Sequence, residues 1–120
     1  MFRFRNWKVY NDARQLRLEV HKNVLKRLPK EENFGLKSQI QRAVDSVILN
    51  IAEGAYRKSD KDFAHFLNQS MTSLYEFISC LDLLIDSEYI ERKNYEYFYD
   101  KAEDLAKQIS AFGRKLRSSS

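Results

Sequence analysis

Placed at about 100° per residue, the apolar positions Leu36, Ile40, Ala43, Val44, Val47, Ile48, Ile51 and Ala55 fall on one arc, the spacing of a helix that turns one face to a core. The pattern predicts a helix over 36–56. On a neighbouring arc lie Gln39, Arg42, Ser46, Leu49, Asn50 and Glu53, a polar seam broken by one leucine. Two readings of this seam stay open. It is an inter-helix network, in which Asn50 satisfies groups on a facing helix and Arg42 forms a largely buried ion pair with Glu53 or Glu76. Alternatively, it is part of a subunit contact or ligand surface, where the Arg42 guanidinium suits a phosphate or carboxylate.

The same period recurs along the chain. Val9, Ala13, Leu16, Val20, Val24 and Leu28 predict a first helix over 8–28, which Pro29 stops. After the second helix, Ser59 offers an N-cap and Asp62 stands at the capping-box position. They open a third helix over 60–87 that carries Phe63, Phe66, Leu67, Ser70, Leu74, Phe77, Ile78, Leu81, Leu84 and Ile85 on one face. A fourth over 91–116 presents Tyr95, Phe98, Tyr99, Ala102, Leu105, Ala106, Ile109, Phe112 and Leu116, and the polar tail 117–120 is expected to be disordered. Four such helices joined by short loops imply an all-α single domain, an antiparallel up-down-up-down four-helix bundle.

Composition agrees with that reading. Three Gly and one Pro in 120 residues leave few breaks, so long elements are favoured over short strands and tight turns. At 43% hydrophobic and 32% charged, a chain of this length can bury roughly two-thirds of its unfolded surface in one core. No apolar run approaches the ~20 residues of a membrane span, and Met1-Phe2-Arg3-Phe4-Arg5 lacks the apolar core of a signal peptide. The expectation is a soluble, cytoplasmic protein with no membrane partner. The lone Cys80 lies at the edge of an apolar face and reads as a reduced structural thiol.

Charge adds the second clue. Residues 1–30 hold nine Lys or Arg against Asp12 and Glu19, whereas 82–104 hold eight acids against Arg92, Lys93 and Lys101. One consequence is a head-to-tail attraction between copies, which closes into a ring if the rotation permits. The other is a nucleic-acid surface. Arg3, Arg5, Lys8, Arg14 and Arg17 accompany Trp7 in the first segment, and Arg114, Lys115 and Arg117 end the fourth helix. Cations interleaved with aromatics suit phosphates and bases, although a solvated helix face gives a similar count.

Specific blocks then carry a resemblance. Phe34-Gly35-Leu36, Gln39-Ile40, Arg42-Ala43, Ser46, Asn50-Ile51-Ala52-Glu53-Gly54 and Arg57 are followed by Asp62-Phe63, Phe66-Leu67, Ser73 and Glu76, after an opening Trp7-Lys8-Val9-Tyr10. From about Phe4 to Phe112 the chain resembles the 23S rRNA-intervening-sequence proteins. The resemblance implies a four-helix bundle that assembles as a homopentamer. It also implies kinship with accessory subunits that bind nucleic acid and a reverse transcriptase in diversity-generating retroelements. Ile48 stands where many relatives have proline and Thr72 where many have glycine, which implies a straighter second helix and a slightly wider approach near Ser73.

Enzyme chemistry finds few candidate residues. His21 and His65 are the only histidines, and no Gly-rich phosphate loop or serine-elbow motif is present. Asp62 and His65 have the spacing of half a bundle di-metal site, which would need inward carboxylates from every helix and a second such His. The expectation is therefore no catalysis, no metal and no cofactor. Three functions remain: a ring-forming protein associated with RNA, DNA or the ribosome; a scaffold holding an acidic protein partner, such as an accessory subunit of a reverse transcriptase; or a purely structural oligomer.

Overall fold

Four helices form the computed structural model, which describes residues 1–119 and holds no strand among them: α1 (Lys8–Asn23), α2 (Leu36–Tyr56), α3 (Asp60–Asp86) and α4 (Arg92–Ser119). α2 packs most extensively on α3, α3 on α4, and α1 lies against both α2 and α4. The body measures 46 × 22 × 21 Å. The apolar arcs meet along its axis, where Val20, Ile40, Ile51, Leu81 and Leu84 are wholly buried beside Phe77 and Phe98. None of the four helices is long and apolar enough to cross a membrane, among the described residues.

Local chemistry sets the helix ends. Ser59 Oγ accepts the Asp62 backbone N–H at 3.1 Å, and Asp60 and Asp62 place negative charge in the first turn of α3, where the helix dipole favours it. That helix closes through paired bonds from the Glu88 N–H to the Ile85 carbonyl and from the Tyr89 N–H to the Leu84 carbonyl, the Schellman arrangement. Glu88 sits at the left-handed position with φ 60°, where glycine is usual, and so holds backbone strain.

Two boundaries differ from the periodicity. α1 ends at Asn23 rather than Leu28: Val24 leaves helical geometry, Leu25–Arg27 form a 3-10 turn, and Leu28 is extended at φ −76°, ψ 143°. The ring of Pro29 disfavours helical backbone at the residue before it, and the tighter turn buries Val24, Leu25 and Leu28 together. At the other terminus α4 runs on to Ser119, so the segment expected to be disordered from 117 is helical; no Pro or Gly follows Gly113 to stop it. Residue 120 of that tail lies outside the described residues.

The α2–α3 contact depends on small residues. A Cβ on Gly54 would meet Phe63 Cδ1 at 2.8 Å and Phe66 Cβ at 3.0 Å. Farther along, the buried Ser70 Oγ donates to the Val47 carbonyl at 2.8 Å, and Ser73 Oγ donates to Ser46 Oγ at 2.8 Å. α1 is tied to α2 differently, by Arg17 Nε donating to Asp45 Oδ1 at 2.5 Å. One turn on, His21 Nε2 is buried without a hydrogen-bond partner. Burial first, and then the Arg17 charge, hold the His21 pKa below its ordinary 6.5, with Lys37 and Lys26 acting in the same sense and Asp45 opposing.

Gly54→Ala tests the α2–α3 contact. Alanine gains about 1 kcal/mol of helix propensity, but overpacking costs about 1–3 kcal/mol, so a net loss of about 1 kcal/mol in urea unfolding is expected. His21 sets a pH dependence. Because the folded state resists the proton, the unfolded chain binds more of it, so this contribution is present above pH 6.5 and is lost as pH falls below that value through the lower folded-state pKa. The thermal midpoint should drop between about pH 7.5 and 5.5, a window above ordinary carboxylate titration, and the drop should shrink in His21→Gln.

Candidate nucleic-acid interface

Aromatic packing draws three separate chain segments to one end of the body. Trp7 stacks on Phe63 at 5.7 Å between ring centroids, and Phe112 lies against both, at 5.0 Å and 5.2 Å. The start of α1, the link between α2 and α3, and the last turns of α4 are thereby neighbours. Each segment brings exposed cations: Arg3, Arg5 and Lys8 from the first, Arg57, Lys58 and Lys61 from the second, and Arg114, Lys115 and Arg117 from the third. Within 1–12, 53–65 and 107–119 there are ten Lys or Arg against Asp12, Glu53, Asp60 and Asp62, a net of +6. The far end, 20–38 with 82–97, holds seven of each sign and is balanced.

The pole is only partly neutralised by its own acids. Lys8 Nζ reaches Asp12 at 2.6 Å, and Gln108 Nε2 donates to the same carboxylate oxygen at 2.9 Å. These two partners hold the Asp12 pKa below its ordinary value, the Lys8 bond acting most strongly. Arg57 pairs with Glu53 at 2.8 Å while its guanidinium lies 4.4 Å from the centre of the Phe66 ring. Exposed pairs of this kind are worth about 0–1 kcal/mol and are screened by salt, so they leave the cations available to a stronger anion. Beside them, Trp7 and Phe112 line an open cleft of about 530 Å³ flanked by Lys8 and Lys115.

Six of the eight sequence-predicted cations meet here: Arg3, Arg5, Lys8, Arg114, Lys115 and Arg117. Two do not. Arg14 lies farther along α1, bonded to Asn11 Oδ1 at 3.2 Å and 5.8 Å from the centre of the Tyr10 ring. Arg17 turns to Asp45 across the α1–α2 contact, half-exposed. The +7 of residues 1–30 is thus divided, because Lys22, Lys26, Arg27 and Lys30 lie toward the far end, where Arg27 shares a cleft with Glu91 and Lys93. Arg57, Lys58 and Lys61 are not among the cations that the sequence singles out for a nucleic-acid surface. Their cluster is invisible in any linear charge count, and only the ring contacts bring it beside both termini.

The α2 seam divides too. Asn50 Nδ2 donates to the Ser46 carbonyl and to Ser46 Oγ, both at 2.9 Å, and Ser73 completes the group from α3. Gln39 and Arg42 are exposed. Contrary to the expected buried ion pair, Arg42 bonds neither Glu53 nor Glu76. Glu53 is eleven residues along the same helix, a rise of about 16 Å, and it is taken by Arg57. Burial raises the pKa of the Cys80 thiol, the Glu76 charge raises it further, and the Arg42 charge opposes. A protonated thiol is no nucleophile. Phe34 is 99% exposed and the seam's Leu49 65%, around a shallow depression shared with Lys37, Arg42 and Asn50. Among the described residues no three His, Cys, Asp or Glu side chains are grouped to hold a metal ion.

Comparison with known proteins adds the following. The sequence profile of the 23S rRNA-intervening sequence protein family matches residues 5–111. A crystal structure from Bacteroides thetaiotaomicron VPI-5482, described as a protein with unknown function from the S23 ribosomal protein family, is 26% identical and superposes with a TM-score of 0.80 over 88% of this chain and 97% of that one. No curated protein sequence matches the chain at a significant level.

Side-chain deletions separate the two parts of the seam. Ser73→Ala removes the largely buried inter-helix hydrogen bond to Ser46 Oγ and should lower unfolding stability by about 1 kcal/mol. Arg42→Ala, at an exposed and unpaired position, should leave the dilute protein within about 0.5 kcal/mol of the parent. Urea titrations of both variants measure the contrast.

Proposed function

The chain belongs to the 23S rRNA-intervening sequence protein family, and from that premise we propose that it is a non-catalytic cytoplasmic protein that associates with RNA through its basic pole. The observation that carries this reading is the convergence of cations from three segments distant in sequence, with a net of +6, at one end of the body. Such a concentration of positive charge raises the local density of polyanions and speeds their encounter. Trp7, Lys8, Phe112 and Lys115 sit together there, pairing aromatic surface with phosphate-seeking charge. DNA is the same target to this chemistry, and backbone contacts alone do not distinguish sequences.

Assembly is the second part of the reading. We take the helices as an antiparallel up-down-up-down bundle and the functional unit as a homo-oligomer, a pentameric ring on the resemblance to the family. Phe34 and Leu49 support a protein contact on the outer face of α2, since both are exposed beside the unpaired Arg42. The same face suits the scaffold alternative, in which the protein serves as accessory subunit to an enzyme acting on nucleic acid and its basic pole holds an acidic partner.

Fluorescence anisotropy with a structured RNA across a salt series tests the leading reading. The logarithm of affinity should fall linearly with the logarithm of salt, with a slope near −0.7 to −0.9 per phosphate neutralised, and Arg5→Ala or Lys115→Ala should each reduce that slope by about one. Equal affinity at low and high salt, or none at either, rejects it. Light scattering on the same samples gives the subunit number.

A further inference from the structure

Between α3 and α4, on the other side of α4 from the Trp7 cleft, runs an opening of about 590 Å³, within the size range of small-molecule sites. Ala64 from α3 and Ala106, Ser110 and Gly113 from α4 border it with short side chains. At Gly113 the space is closed by charge: a Cβ there would lie 3.4 Å from Arg117 Nη1, so the guanidinium rests over the glycine. Lys107, Arg114 and Arg117 therefore border the opening against a single acid, Glu103. The Lys107–Glu103 separation of 3.8 Å, with both side chains more than half exposed, neutralises little.

The α3 wall supplies what a phosphate site alone would not need. Tyr75 is 72% exposed, with Met71 one turn before it and the Asn68 amide two turns before, all on the same wall. A large aromatic left in water beside a positively charged opening offers one face to a flat ring. Its hydroxyl is not committed to a hydrogen bond, and neither is the Asn68 side-chain amide.

We propose that this α3–α4 cleft is a binding site for single-stranded nucleic acid, with an unstacked base against Tyr75 and Met71 and its flanking phosphates at Lys107 and Arg114. The assignment rests on the nucleic-acid reading of the basic pole and refines it. A base within a duplex keeps its faces in the stack and cannot enter, so the cleft separates single from double strands where the pole does not. Stacking on an aromatic side chain tolerates any base, so the site reads strandedness rather than sequence.

The test uses the full chain and a fluorescein-labelled single-stranded RNA of about 12 nucleotides, inside the span covered by such sites, compared with the same sequence as a duplex. Tyr75→Ala should weaken single-strand binding by about 5- to 100-fold without changing its salt slope, because no charge is lost. Tyr75→Phe should retain the affinity. Arg114→Gln should reduce the single-strand slope by about one. Duplex affinity should be unchanged in both Tyr75 variants. Single-strand affinity unaltered by Tyr75→Ala, with the parent's salt-sensitive binding intact, removes the cleft and leaves the pole; a parent that binds neither probe removes both. Equal weakening on duplex and single strand also overturns the assignment. So does a changed subunit number for Tyr75→Ala in light scattering, which would make the cleft a protein contact.

Discussion

Gly54 has no room for a side chain, and much of the molecule's arrangement follows from that contact. With a hydrogen where other residues carry Cβ, the end of α2 lets Phe63 Cδ1 and Phe66 Cβ come within 2.8 and 3.0 Å of the space a methyl would fill. The α2–α3 link is thereby kept to Arg57–Ser59, with Ser59 capping the next helix at once. Phe63, held against Gly54, in turn receives Trp7 and Phe112. A wider approach at this point would separate the three segments whose cations make the pole. The serine contacts farther along serve the same closeness: Ser70 and Ser73 are short enough to sit inside the interface and still bond Val47 and Ser46.

Clustering charge at one end opposes folding, because like charges repel within a screening length of about 8 Å at physiological salt. The core supplies the stability that tolerates it, since the buried Phe77, Phe98, Leu81 and Leu84 contribute about 1.5–3 kcal/mol each, whereas the exposed ion pairs contribute about 0–1 kcal/mol. A bundle can therefore concentrate cations at an end without loss of its fold, provided the aromatic ring cluster, rather than salt bridges, holds the termini together. Trp7, Phe63 and Phe112 do that here.

Helix existence was plainly legible in the residues. The arc of α2 predicts its buried face closely, that of α3 captures six of its buried residues but omits Ser73 and Cys80, Ser59 marks the start of α3, and Pro29 marks the stop before α2. What periodicity could not show is how a helix ends when two rules compete. Leu28 belongs to the arc of α1 but precedes proline, and the backbone obeys the proline while the side chain still reaches the core. The tail differs for the opposite reason: its polar composition suggests disorder, but no Pro or Gly after Gly113 breaks the helix. Of the candidate site, the cations at both termini were legible as residue types, and their meeting was not. Arg57, Lys58 and Lys61 needed the fold, and Arg42 was assigned partners by charge alone when helical rise puts Glu53 beyond its reach.

The exposed Phe34 and Leu49 lie apart from the pole and from the Tyr75 cleft, which share Arg114 and Arg117 near the end of α4. The pole occupies one end, the exposed Phe34 and Leu49 lie on the outer side of α2, and the Tyr75 cleft runs along α3 and α4. A copy docked over Phe34 would leave the α3–α4 side open, because α2 and α4 meet different faces of α3. Repetition around a ring would then multiply the poles without covering the clefts, and weak phosphate contacts repeated on one polyanion gain from effective concentration rather than from any tighter single site. An exposed phenylalanine turns only apolar surface to water, whereas an exposed tyrosine keeps a polar edge there. The two exposed aromatics thus differ in chemistry: Phe34 offers apolar surface alone, and Tyr75 a flat ring with a hydroxyl.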